Sequence, residues 1–218
     1  MNLIHSGENL QMADKETRQK ATVQDDTRET QIALHCGLQR SEKRLGPDAF
    51  DNKQNPFELK SATKSGVTTG RDIGIHTIGA YRKVYWIIAE GSNYRTSSGT
   101  KTFEIRSLYI AHPEDLESWF SKIESRIESE LEKCEIVLAA AEASGVNAEI
   151  VRFCRDKLAR GVTINNPKIP MQLIRQAATS LDPSNPQKAR RQLRQFVRKR
   201  PLRKDPYTMP SVEYELSE

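Results

Sequence analysis

Between Val84 and Ala89 the chain reads VYWIIA, an unbroken apolar run. A run of strand length with no polar alternation predicts a strand buried on both faces, so the fold must cover it from two sides. A second apolar run, FEIRSLYI from Phe103 to Ile110, follows at hairpin distance. Gly91 and the SSGT turn at residues 97–100 read as the link between the two strands. This pair sets the middle of a sheet.

Helical spacing supplies the covering layers. Asp25 or Asp26 is placed to cap a helix whose apolar part is Ile32 and Leu34 to Cys36, and Gly37 is placed to end it. His112-Pro113-Glu114-Asp115 opens a longer helix, with proline and acids suited to its first turn. Leu116, Trp119, Phe120, Ile123, Ile127, Leu131 and Cys134 carry that helix to about residue 143, with a stripe suited to core or dimer packing. Ala148 to Ala159 reads as a further helix with Ile150, Val151, Cys154 and Leu158 inward. INNPKIP at 164–170 reads as a turn, and Met171 to Ser180 as a short helix. Strands and helices together predict an α/β chain, mixed α+β in its arrangement.

A chain of 218 residues suits one large domain with appendages. Residues 1–24 are polar and weakly periodic and read as a mobile N-terminal arm. The main domain is expected over 25–180, and 181–218 as a basic C-terminal extension. Within the extension, Lys188 to Lys204 holds nine Lys or Arg and no acid. Such a segment either lies along DNA phosphates or is a solvated basic helix. The net charge of +5 is compatible with a polyanionic partner. No apolar run is long enough for a membrane span, and the N-terminus lacks the pattern of a signal peptide, so a cytoplasmic location is expected. Cys36, Cys134 and Cys154 form no CxxC pair, and the four histidines are scattered, so neither a disulfide framework nor a zinc site is indicated.

The chemistry concentrates between Gly46 and Arg82. In PFELKSA, Phe57 and Leu59 alternate with Glu58 and Lys60, so a strand buries the first pair and presents the second on one face. Asp48, after a Gly-Pro turn, brings a second carboxylate from the neighbouring segment. Two carboxylates suit Mg2+, and a lysine beside them suits charge stabilisation, which is the outline of a metal-dependent phosphodiesterase. By itself the pattern marks a solvated strand face more often than a catalytic one. The segment from Lys60 to Tyr81 is rich in Gly, Thr and Ser and reads as a long binding loop with at most a short helix or turn.

Three separated motifs, GPDAFDN with FELKS, AYRKVYWI at 80–87 and INNPKIP at 164–170, agree with HCGL at 35–38 in order and spacing. Together they resemble the PvuII-like type II restriction endonuclease family of the PD-(D/E)XK nuclease superfamily, over roughly residues 25–122 and 162–174. The resemblance implies a restriction-endonuclease core, a central mixed β-sheet flanked by helices. It implies a homodimer that cuts double-stranded DNA at a short palindrome, leaving 5′-phosphates, with a companion DNA methyltransferase in the same system. By resemblance Asp48, Glu58 and the carbonyl of Leu59 hold Mg2+, and Lys60 assists the attacking water. Tyr81 matches a tyrosine near the metal, its alternative being an aromatic whose hydroxyl finds a structural partner. Asn166 matches an adenine-reading asparagine, with Asn165 beside it and Lys168 on phosphate; Asp25 and Thr68 are also expected at the DNA. Where the family carries base-reading histidines this chain has Gly70, Arg71 and Asp72. Arg71 suits guanine, and Asp72 suits a cytosine amine or the orientation of Arg71. Leu45 replaces a family glutamate near the metals. A repair or structure-selective nuclease and a non-catalytic DNA-binding module remain the rival readings.

Overall fold

The computed structural model describes residues 27–42, 46–62, 66–95, 97, 101–145 and 148–203. In chain order these form α1 (residues 27–36), β1 (Gln39–Arg40), β2 (Ala49–Phe50), β3 (Pro56–Ala62), β4 (Gly66–Thr68), α2 (Ile75–Tyr81), β5 (Tyr85–Arg95) and β6 (Lys101–Ala111). A 3-10 turn (Pro113–Leu116) leads into α3 (Glu117–Ala143), followed by α4 (Ala148–Arg160), β7 (Lys168–Pro170), α5 (Met171–Ala177), β8 (Thr179–Leu181) and α6 (Pro186–Lys199).

The apolar run lies in β5, which takes a central place in a six-stranded mixed sheet of order β1-β2-β3-β5-β6-β8. β3 and β5 run parallel, and the other pairs are antiparallel. Alternation along β5 divides the core. Tyr85, Ile87 and Ala89 join Phe57, Leu59, α1 and α6 on one face; Trp86 and Ile88 join α2, α3 and α5 on the other. Trp86, Tyr85 and Phe57 are fully buried, and each such side chain contributes about 1.5–3 kcal/mol of transfer free energy.

Both central strands are longer than the apolar runs predict. Gly91 therefore lies inside β5, at a register shift between Glu90 and Gly91, and not in the link between strands. A Cβ there would stand 2.0 Å from the Glu104 carbonyl oxygen, so the bulge needs glycine. Of the SSGT turn, residues 98–100 lie outside the described residues, as do the arm at 1–24, Asp25 and Leu45.

The long helix forms as its stripe predicts, burying Trp119, Phe120, Ile123 and Ile127, and His112 closes a capping box with Asp115 at the 3-10 turn that leads into it. On α4, Cys154 is buried as expected, but Ile150 is 42% exposed, because among the described residues α4 packs mainly on α3.

The basic extension differs most from its sequence reading. The expected boundary at 180 falls inside β8, which pairs with β6, and α6 buries Ala189, Leu193 and Phe196 in the same cluster as Tyr85 and Ile87. Arg190 donates to the carbonyls of Leu34 and His35 at the end of α1, at 2.6 and 3.2 Å. The Tyr85 hydroxyl donates to the Arg200 carbonyl at 2.8 Å, and Arg200 donates to both carboxylate oxygens of Asp115 at 2.8 Å. Residues 181–203 thus complete the domain.

Candidate functional site

The turn between β2 and β3 is built by Asp51. Its carboxylate accepts from the backbone of Lys53 and Asn55 and from the Asn55 side chain, at 2.8–2.9 Å, and this fixes how β3 returns beside Ala49. Asp48 then meets the middle of β3, where its Oδ2 accepts the Leu59 N–H at 2.8 Å. Phe57 and Leu59 point into the core behind the sheet, so Glu58 and Lys60 share the opposite face, as the alternation predicts.

On that face one ammonium gathers three oxygens. Lys60 Nζ lies 2.6 Å from Glu58 Oε1, 3.3 Å from Asp48 Oδ2 and 3.1 Å from the Leu59 carbonyl. Burial opposes the charge on Lys60, but Glu58 and Asp48 more than offset it and hold the lysine firmly protonated. Burial raises the Glu58 carboxyl well above the usual carboxylate range despite the lysine beside it. The same cluster faces Tyr81, whose hydroxyl is raised by burial first and by Glu58 next.

The three oxygens are hard donors that already converge on one cation. That arrangement fits Mg2+, which takes carboxylate and carbonyl oxygen and completes its shell with water. Among the described residues no group of three or more His, Cys, Asp and Glu side chains is gathered as a metal site. The candidate donor set is therefore two carboxylates and one backbone carbonyl.

A second group of residues assembles at the end of the sheet. The Gly-rich segment is not a plain loop: β4 pairs antiparallel with β7, Thr68 standing opposite Lys168, and Ile73 bridges to Ile164. The INNPKIP segment correspondingly contains a strand, not just a turn. The Thr69 hydroxyl donates to the Pro167 carbonyl at 2.7 Å, and the Trp119 indole donates to the Lys168 carbonyl at 3.0 Å. These ties bring exposed Thr68, Arg71 and Asp72 together with exposed Asn165, Asn166 and Lys168. Asp72 and Asn166 both hold positive φ, 55° and 46°, so each turns sharply beside the Ile73–Ile164 bridge. Asn166 Nδ2 donates to Asn165 Oδ1 at 2.7 Å, orienting the Asn166 amide and leaving its oxygen and second N–H available. His76 is exposed on α2, next to this group in sequence.

One charged residue near the cluster has no sequence signal. Glu29 on α1 is held by Arg40 at 2.8 Å, and Arg40 stands opposite Ala49 in the β1–β2 pair. Its carboxyl is raised by burial first and by Asp48 next. In the sequence Glu29 looks like any polar position on a capped helix, and the return of β1 beside β2 is what brings it inward.

A family model described as "Restriction endonuclease PvuII" matches residues 2–145. The match includes Asp48, Glu58, Lys60, Tyr81 and Arg71, and stops before Asn165 and Asn166.

Proposed function

This chain belongs to the PvuII restriction endonuclease family, and from that premise we propose that it hydrolyses double-stranded DNA at a short palindrome with Mg2+, leaving 5′-phosphates. The observation that carries the reading is the convergence of Asp48 Oδ2, Glu58 Oε1 and the Leu59 carbonyl on Lys60 Nζ.

Those oxygens would hold Mg2+, which when bound would supply charge neutralisation at phosphate and a bound water of lowered pKa. Lys60, held protonated by its neighbours, stabilises the negative charge that grows on the phosphoryl oxygens while water attacks phosphorus and the 3′ oxygen leaves. Asp48 is held in place by the Leu59 N–H, so its carboxylate does not wander when Lys60 turns toward substrate. Tyr81 borders the same space.

Specificity is assigned to the surface formed by 66–73 and 164–170. Arg71 offers a fork for the two acceptors of guanine, Asp72 an acceptor for a cytosine amine, and Asn166, steadied by Asn165, a donor and acceptor for adenine. Thr68 and Lys168, opposite one another, are placed for phosphate, with Asp25 assigned to the DNA by resemblance. The expected result of Arg71→Ala is a loss of about 1–3 kcal/mol of discrimination at one guanine, read by comparing cleavage of sites that differ at single positions. Unchanged selectivity removes that contact.

A twofold site calls for a twofold protein, so the active species is a homodimer, and Leu34, 64% exposed on α1, supports that helix as part of the contact. The enzyme acts on DNA in the cytoplasm, and a companion DNA methyltransferase protects the host's own sites. Among the described residues no helix is long and apolar enough to cross a membrane.

The test is incubation of plasmid with protein and Mg2+ and sequencing of the fragment ends. Discrete fragments with a common terminal sequence, lost when a chelator removes the metal, support the proposal. Random ends favour a repair or structure-selective nuclease. Tight binding without cleavage makes the chain a DNA-binding module.

A further inference from the structure

Two groups of residues with separate tasks meet at one side chain. Tyr81 ends α2, which follows directly on the segment carrying Arg71 and Asp72, and it is 9% exposed. Its ring is fixed: it packs edge-on against Trp86 with centroids 4.8 Å apart, and the Trp86 indole donates to the Tyr81 carbonyl at 3.2 Å. Its hydroxyl reaches in two directions. On one side it lies against the Gly70 backbone, where an added Cβ would stand 3.4 Å from it. On the other its ring packs on Trp86, which stands opposite Glu58 in the β3–β5 pair, and the hydroxyl feels the charges of Glu58, Lys60 and Asp48.

The Gly70 end of this contact is not free to drift. Thr69 beside it is tied to Pro167 through both its hydroxyl and its N–H, and Ile73 is bridged to Ile164. A shift of Arg71 and Asp72 on a base pair therefore has a short rigid route to the Tyr81 oxygen, and from there to the lysine and carboxylates. A phenylalanine would preserve the ring and its packing on Trp86 but break this link at the hydroxyl.

We infer that Tyr81 is a positioning residue that couples base recognition to cleavage, its hydroxyl reporting the placement of the 69–73 segment to the Asp48–Glu58–Lys60 cluster. The inference rests on the nuclease reading above, and it assigns to this tyrosine control of discrimination in addition to any part in rate. Active-site misplacement of about 1 Å lowers rates by about a hundredfold, so a small displacement of the segment suffices to separate a correct site from a near match.

The experiment compares wild type with Tyr81→Phe on two duplexes, the wild-type target and the same sequence changed at one base pair. Affinity for each is measured with Ca2+ in place of Mg2+, and single-turnover cleavage with Mg2+. Coupling predicts that Tyr81→Phe binds the target within about twofold of wild type, yet the ratio of target to changed-site cleavage falls at least about tenfold. A variant that slows both duplexes by the same factor, or neither, overturns the inference, because a purely structural or purely catalytic tyrosine leaves that ratio alone. If wild type itself shows no target sequence, the proposed function fails and the coupling with it. A wild type with discrete sites and a variant with unchanged discrimination removes the coupling alone.

Discussion

Lys60→Ala is expected to reduce cleavage of duplex DNA by at least about a hundred- to a thousandfold, the range for removing one preorganised charge from a phosphoryl or acyl transfer site. Lys60 Nζ contacts all three candidate metal donors, at 2.6–3.3 Å, and its side chain is 15% exposed, so its charge sits at the centre of the cluster. The substitution leaves the 66–73 and 164–170 surface intact. Specific binding, measured with Ca2+, is therefore expected to persist while Mg2+-supported cleavage disappears. Retained cleavage would remove Lys60 from the mechanism. Loss of binding together with cleavage would show instead that the cluster shapes the recognition surface. Removing the ammonium also leaves Asp48 and Glu58 without their shared cation, so the variant should gain more thermal stability from added divalent metal than wild type does.

The second large effect is on stability. Leu193→Ala is expected to lower the free energy of unfolding by about 2–5 kcal/mol, read as a lower urea midpoint at unchanged slope. Leu193 is 2% exposed and lies in the cluster with Tyr85, Ile87 and Leu181, so its truncation opens a cavity beneath the central sheet. Its neighbour Arg194 is exposed, and Arg194→Ala should stay within about 0.5 kcal/mol of wild type. A Leu193 variant as stable as the Arg194 variant would mean that α6 is an attachment the domain can do without.

That pair of substitutions separates two layers of information in one helix. Nine cations without an acid dominate the reading of residues 188–204, and the apolar spacing of Leu193, Phe196 and Val197 looks weak beside them. Charge says nothing about what a helix packs on. The missing fact is that Tyr85 and Ile87 present an uncovered face of β5, and α1 alone does not close it. The same limit explains Glu29, whose position depends on β1 folding back beside β2, and β4, whose partner strand lies about a hundred residues downstream.

The sequence by itself determined whatever depends on neighbours within a few residues. Periodicity two in PFELKSA places Glu58 and Lys60 on one face, an unbroken apolar run makes β5 a buried strand, and a 3.6 period makes α3 a helix. These follow from backbone geometry and the transfer of apolar surface, which act locally. Tertiary structure decided what depends on distant segments meeting. It joined Arg71 and Asp72 to Asn165 and Asn166, took up the basic helix as a wall of the core, and set the Tyr81 hydroxyl between the Gly70 backbone and the charges of Glu58, Lys60 and Asp48. Pairing partners across a sheet are chosen by the whole chain's burial, and no short window of residues contains that choice.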